Sequence, residues 1–268
     1  MKELLKSVFD KEKIEYYAVL PYSECKEINR AIMERESFTP RSVIVYLVPY
    51  YSGEVENLSR YAASLDYHIA LRSISESIIS ALTEALPGSR SRGYGDHSPI
   101  NECNAALRAS LGVAGDNGLI INEKYGSYVF IAELISDAPA ELLGAVPAAA
   151  AVRCSGCGLC RSVCPTGHLS GDRPCLSDIT QKKGELCDYE AELMRSTNTA
   201  WGCDECQRVC PHNSFPIETP ISYFKEAVIP ELTLNEIILM DDSEFKSRAY
   251  SWRGKKTVIR NLEILGIG

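Results

Sequence analysis

Seven of the eleven cysteines in this 268-residue chain fall in two short runs. Cys154, Cys157, Cys160 and Cys164, followed by Pro165, have the spacing C-x2-C-x2-C-x3-C-P, which wraps a four-iron cluster and sends its fourth thiolate to a neighbouring cluster. Cys203, Cys206 and Cys210, followed by Pro211, form a second run that lacks one of its four cysteines. Exchange of the fourth ligands assigns Cys154, Cys157, Cys160 and Cys210 to one cluster, and Cys164, Cys203 and Cys206 to the other. The eighth ligand must come from the loop between the runs, where Cys175 and Cys187 are the candidates. Zinc also takes C-x2-C pairs, but it prefers two well-separated ones, whereas a tight run ending in proline beside a partial copy of itself favours iron and sulfur. Two 4Fe-4S clusters sharing ligands form an electron wire, and the 153 residues ahead of Cys154 are expected to hold its terminus.

The rest of the chain must position that terminus. Residues 42–50 (SVIVYLVPY) read as a buried strand, and 119–121 and 127–135 as two more. Residues 57–85 carry apolar positions at helical spacing (Leu71, Ile74, Ile78, Leu82) and stop before Pro87-Gly88. Residues 100–111 and 233–249 also read as helical, and 138–152 as a connection. The fold class expected is α+β: residues 1–145 an α/β domain, 146–225 a ferredoxin-like domain with two 4Fe-4S clusters, and 226–268 a helical, basic tail. Lys246, Arg248, Arg253, Lys255, Lys256 and Arg260 make that tail the one sizeable positive feature of the C-terminal region; such a run is ordinarily a solvated face.

Composition excludes several classes. With 45% apolar and 24% charged residues the chain is neither disordered nor low in complexity. Its most apolar stretch, residues 142–152, falls far short of the roughly 20 residues that cross a bilayer. The N-terminus has no apolar core of a signal peptide, so a cytoplasmic protein with reduced thiols is expected. A net charge of −8 gives no overall positive field for gripping nucleic acid, leaving only local patches for that purpose. The glycine-rich GVAGDNG is not a dinucleotide fingerprint, no phosphate-binding P-loop is present, and Asp66-Tyr67-His68 lacks the glycine of D-x-H-x-x-G.

Several segments together resemble the epoxyqueuosine reductases, cobalamin and iron–sulfur enzymes that complete queuosine in tRNA. They are Ser59-Arg60-Tyr61-Ala62 with Asp66-Tyr67-His68; Asp96-His97-Ser98-Pro99 with Glu102; Ser110-Leu111-Gly112 through Asn122; Gly126-Ser127; Cys175-Leu176-Ser177; Cys203-Asp204-Glu205-Cys206-Gln207 with Cys210-Pro211-His212-Asn213; and Arg260-Asn261-Leu262. The resemblance implies that Cys175 completes the second cluster, leaving Cys187, like Cys25 and Cys103, to be a small packed residue. It implies a nitroreductase-like N-terminal domain that holds base-off cobalamin, with Arg60, Asp96, Ile120, Ile131, Ser177, Cys203 and Asp204 as corrinoid neighbours. Asp96 is implied to be the catalytic proton donor; buried against a corrin, a carboxyl stays protonated near neutral pH and acts as a general acid. On sequence alone Gly93-Tyr94-Gly95-Asp96 reads as a turn, and His68 as a structural or pocket-edge residue.

The implied partners are tRNA carrying epoxyqueuosine and a low-potential donor such as ferredoxin or flavodoxin, and the chain is expected to act as a monomer away from membranes. It departs from the family at Val113, Asp116 and Cys103, and lacks the C-terminal helical repeats that help grip tRNA, which leaves the basic 246–260 stretch for that task. The rival readings are a corrinoid iron–sulfur reductase acting on a small molecule, as in reductive dehalogenation, and an electron carrier without corrinoid.

Overall fold

The computed structural model describes residues 1–266. The chain divides into two compact units, Met1–Pro49 with His68–Ser155, and Tyr50–Tyr67 with Gly156–Gly268. No helix among the described residues is long and apolar enough to cross a membrane.

The first unit is built on a four-stranded antiparallel sheet in the order β1 (Tyr17–Pro21), β2 (Ser42–Pro49), β6 (Val129–Ser136), β3 (Ser91–Tyr94). Every residue of β2 is buried, because the sheet is covered on both faces and the β-branched run SVIVYLVP supplies apolar side chains to each. On one face Val43, Val45 and Leu47 join a core with Ala105, Ala106 and Leu107 of helix α4 (Glu102–Arg108). On the other, Tyr46 meets Phe9 of α1 (Lys2–Lys11) at 5.4 Å between ring centroids and hydrogen-bonds Ser75 at 2.9 Å. Short pieces complete the unit: α2 (Arg30–Met33), the two-stranded β4 (Val113–Ala114) with β5 (Ile120–Ile121), and α5 (Ala140–Leu143).

Ser75 lies on α3 (Tyr67–Ala85), whose buried Leu71, Ile74, Ile78 and Leu82 follow the helical period read from the sequence. The expected helix over 57–85 fails across its first ten residues. Residues 57–66 contain only a 3-10 turn, Arg60–Ala62, because Ser59 and Arg60 are drawn into hydrogen bonds with Trp201 and Asp204 that local periodicity does not register. Glycines let α3 approach β3: a Cβ at Gly93 lies 2.5 Å from Ser75 Cβ, and one at Gly95 lies 2.6 Å from Leu71 Cδ1.

The second unit is a set of short helices: α6 (Leu159–Ser162), α7 (Leu176–Thr180), α8 (Asp188–Thr197), α9 (Glu205–Arg208), α10 (Leu234–Leu239), α11 (Asp242–Lys246) and α12 (Lys255–Leu265). Fully buried Trp201 meets fully buried Tyr250 at 6.1 Å, and Leu58 bridges to Trp201 in parallel, so segment 50–67 is anchored at the centre of this unit. Asn261, also fully buried, donates from Nδ2 to the carbonyls of Thr180 and Ala200 at 2.7 Å each, tying α12 to α7 and to the approach of the second cysteine run.

The basic tail is not the solvated face its composition suggests. Arg248 is buried and donates to the Ala227 carbonyl, Lys255 donates to the carbonyls of Ile238 and Met240, and Arg260 donates to those of Lys182 and Gly184. Arg253 stacks on Trp252 at 3.8 Å. Lys246 and Lys256 alone of the six are exposed. Spent on helix-terminal and loop carbonyls, the charges of Arg248, Lys255 and Arg260 hold chain segments together.

Candidate functional site

The cysteine-bearing loops owe their shape to glycine. Gly156, Gly158 and Gly167 have φ of +68°, +77° and +70°, the left-handed conformation that lets a loop turn its cysteines inward. α6, carrying Cys160, packs on α9, carrying Cys206. The thiols of the expected second cluster are mutual neighbours: Cys175 lies within electrostatic reach of Cys164 and Cys203, and Cys203 within reach of Cys175 and Cys206. Burial, reinforced by these neighbours, pushes the Cys203 thiol up to about 12. Cys164 moves the other way; burial opposes ionisation, but donors from Leu169, Thr166 and His168 outweigh it and favour the thiolate. N–H groups aimed at a cysteine sulfur are what a cluster ligand requires.

Of the other expected ligands, Cys157 and Cys210 lie in the second unit with Cys160, and Cys154 closes the first, its N–H bonded to the Ala114 carbonyl at 2.9 Å. Among the described residues no three histidine, cysteine or acidic side chains converge tightly enough to hold a single metal ion. Cys187 is exposed and caps α8, its N–H donating to Glu190 Oε2 at 3.0 Å, so the expectation of a packed residue fails there. Cys25 and Cys103 do pack, at the edge of the first unit's core.

The positions expected beside a corrinoid divide into committed and open side chains. Asp204, 4% exposed, is saturated: it accepts from Ser59 Oγ, from Arg60 N at 2.7 Å, from Arg60 Nη1 at 3.3 Å and from Gln207 Nε2 at 3.1 Å. Arg60 also pairs with Glu54. Asp204 is fully engaged and Arg60 bridges it to Glu54, so these two side chains form an internal frame of the second unit. Ile120 is in the first unit's core, with Ile131 packed against it. Ser177 Oγ takes a bond from Gln181 Nε2 at 2.9 Å within α7. Of the seven, Asp96, Ser177 and Cys203 keep reactive side-chain atoms that are not sealed in a core.

Asp96 sits where β3 gives way to the loop before α4, with φ of +71°. Aspartate tolerates the left-handed region better than most residues, yet the conformation is strained and aims the side chain outward, where it is 59% exposed. His68 Nε2 lies 3.4 Å from its Oδ2. His68 and His97 line an open cleft of about 520 Å³ with Arg35, Arg72 and Arg92. The burial that the general-acid argument asks for is not at Asp96 but behind it. Glu102 receives the Asp96 backbone N–H, and burial together with the Asp96 charge pushes its carboxyl up to about 7. Glu133, in register with Val45 on β2 and Tyr94 on β3, projects toward the same core face; burial and then Glu102 push it up to about 8. Sequence reasoning named Glu102 only as part of a motif and missed Glu133, whose signal was a lone acid inside the apolar run VFIAELI.

The class is thus a mixed α/β chain carrying an iron–sulfur module: residues 153–213 match the family model described as a 4Fe-4S double cluster binding domain. The particular likeness is to the epoxyqueuosine reductases, as the sequence motifs implied. The chain is 34% identical over 219 residues to the epoxyqueuosine reductase of Listeria monocytogenes, an alignment covering 77% of this chain and 56% of that protein. It therefore spans little more than half the length of that curated relative. A solved epoxyqueuosine reductase from Streptococcus thermophilus superposes with a TM-score of 0.80 at 24% identity, covering 98% of this chain and 80% of that one. Another, solved with a tRNA-Tyr epoxyqueuosine-modified stem loop, gives 0.74 at 23% identity and the same coverage. At these identities the two structures establish a shared fold.

Proposed function

We propose that this chain is an iron–sulfur reductase that removes the epoxide oxygen of epoxyqueuosine in tRNA as water, consuming two electrons and two protons. The observation that carries the reading is the joining, in one chain with the fold of epoxyqueuosine reductases, of a double-cluster domain to a strained, outward-facing aspartate backed by protonatable carboxyls. The relative solved with a modified stem loop supports the substrate class.

The eight cysteines Cys154, Cys157, Cys160, Cys210 and Cys164, Cys175, Cys203, Cys206 would hold two 4Fe-4S clusters, with Cys175 as the eighth ligand because its thiol neighbours Cys164 and Cys203. A base-off corrinoid, when bound, supplies the low-potential metal that delivers electrons to the substrate. A bound corrinoid would be held by the side chains of Asp96, Ser177 and Cys203, by the backbone of Arg60, Asp204 and Ile120, and by Ile131 as an apolar edge. Asp96 gives the proton to the leaving oxygen, and His68, 3.4 Å away, holds its carboxylate in place. Of residues 1–145, those outside segment 50–67 carry the proton donor, while 146–225 hold the clusters and 226–268 buttress them. A ferredoxin or flavodoxin supplies electrons in the cytoplasm to a monomer.

Anaerobic reconstitution tests the reading. The loaded protein should carry about eight irons and eight sulfides, bind cobalamin with a base-off spectrum, and convert epoxyqueuosine-containing tRNA to queuosine by nucleoside analysis. Loading without conversion would favour the small-molecule reductase; clusters without cobalamin binding would leave the electron carrier. Cys175→Ser should remove about half the iron while Cys187→Ser removes none.

A further inference from the structure

Behind Asp96 the first unit encloses two carboxyl groups that no cation neutralises. Glu133 is fully buried on β6 and closes no well-formed hydrogen bond among the described residues; the Ser98 hydroxyl is the one donor that favours its charged form, and burial outweighs it. Tyr94 from β3, Cys25 from the segment after β1 and Glu102 from α4 lie within its electrostatic reach, and Tyr46 of β2 acts on it from the other face of the sheet. Arg108, at the end of α4, acts on Cys25 and is paired with Glu24 at 2.5 Å, so it does not reach Glu133. Glu102 Oε2 is likewise buried without a partner, while the carboxyl takes the backbone N–H of Asp96.

A bare carboxylate in such surroundings carries a desolvation cost of several kcal/mol, so the group stays protonated instead. Two of them side by side cannot both ionise cheaply and titrate as a pair. The placement is also directional: buried Glu133, partly buried Glu102 and half-exposed Asp96 make a sequence from interior to surface, with His68 at its outer end. A purely structural acid in a central strand would be expected to have several charged or main-chain donors, as Asp204 has; Glu133 has the Ser98 hydroxyl alone among the described residues.

We propose that Glu102 and Glu133 form a proton reserve that recharges Asp96. This rests on the reading of Asp96 as the donor to the leaving oxygen. The removed oxygen departs as water and takes two protons, whereas Asp96 holds one. After Asp96 has given its proton, side-chain rotation brings the Glu102 carboxyl, already in contact with the Asp96 backbone, onto the Asp96 carboxylate to pass its proton, and Glu133 then passes its proton to Glu102 in the same way; the two electrons come from the proposed reductant. The reserve refills from solvent through Asp96 and His68 once product has left. Glu102 and Glu133 touch no substrate and act through Asp96.

The test uses the reconstituted holoprotein with two readouts. Infrared difference spectra across pH should show protonated glutamic acid persisting at about pH 7 and losing intensity in both Glu102→Gln and Glu133→Gln. Single-turnover reduction of a modified tRNA stem loop under excess dithionite should slow roughly tenfold in each variant at about pH 8, with iron and cobalamin content unchanged, and Glu102→Asp should recover part of the rate. Absence of a protonated glutamic acid at neutral pH would overturn the reserve, as would both glutamine variants matching the parent rate from about pH 6 to about pH 9. Both results leave the Asp96 reading intact, since Asp96→Asn would still be slow; normal turnover by Asp96→Asn would remove the donor and the reserve together. Because the glutamine is isosteric and neutral, as the protonated acid is, the variants should fold, and the infrared readout remains valid without turnover.

Discussion

Each unit buries acid, and the two do so in opposite ways. In the second unit Asp204 is surrounded by donors from Ser59, Arg60 and Gln207, and its partner Arg60 reaches a second carboxylate, Glu54. In the first, Glu133 has among the described residues no donor beyond the Ser98 hydroxyl, and the charge acting on it is another glutamate, Glu102. The saturated acid fixes geometry: it clamps segment 50–67 against the second cysteine run. The unsaturated one leaves an exchangeable proton in a place that packing alone would have filled with valine or isoleucine. Burial by itself therefore says little about role; the hydrogen-bond inventory around the buried group distinguishes frame from chemistry.

Breaking the frame should give the largest effect. Asp204→Ala strands the buried Arg60 guanidinium and should destabilise the second unit by about 3–5 kcal/mol, read by anaerobic denaturant titration. A small loss would mean that Glu54 alone can hold Arg60. On the other side of the comparison, Glu133→Gln should stabilise the protein under alkaline conditions. The native carboxyl is raised from 4.5 to about 8, so the folded state keeps a proton that the unfolded chain has already released. Stability should fall as pH climbs through that window and level off above it, and Glu133→Gln should remove that fall, on the order of 5 kcal/mol by its alkaline end. A parallel pH curve for the variant would show that Glu133 ionises without cost.

Asn261→Ala removes two donors from the buried carbonyls of Thr180 and Ala200 and should lose about 1–3 kcal/mol, with thermal melting as the measure. The smallest effect belongs to Lys246→Ala and Lys256→Ala, each expected within about 0.5 kcal/mol of the parent because both side chains are exposed. Arg260→Ala, with similar charge and sequence context, should cost more, since its guanidinium is bonded to main-chain carbonyls.

Much of this could be read from sequence where one residue type carries its own rule. Cysteine spacing located the iron–sulfur module, and the β-branched run at 42–50 located the central strand to within a residue of Ser42–Pro49. Asp96 was legible only through motif likeness; its turn sequence hid that the residue itself, and not a neighbouring glycine, takes the positive φ. Two failures share a cause. The helix expected across 57–66 and the solvated basic tail both followed local pattern, whereas long-range hydrogen bonds decide them: Ser59 and Arg60 answer to Trp201 and Asp204, and Arg260 to Lys182 and Gly184. Glu133 lay hidden for the reverse reason, since a strand's apolar majority masks one acid whose meaning depends on the partners it lacks.

The placement of segment 50–67 sets a timetable for synthesis. Leu58 leaves the ribosome 143 residues before Trp201, the residue it bridges to, and at roughly 5–20 residues per second the interval is on the order of 7–30 s. Throughout it, the aromatic and apolar side chains of Tyr50, Tyr51, Val55 and Leu58 await a surface not yet translated. All but one of the cysteines assigned to clusters belong to that late-completing unit. Iron–sulfur assembly factors would then meet a chain whose cysteine loops are finished only long after segment 50–67 has emerged, and slowing synthesis between Tyr67 and Trp201 should lower cluster occupancy without changing a single ligand.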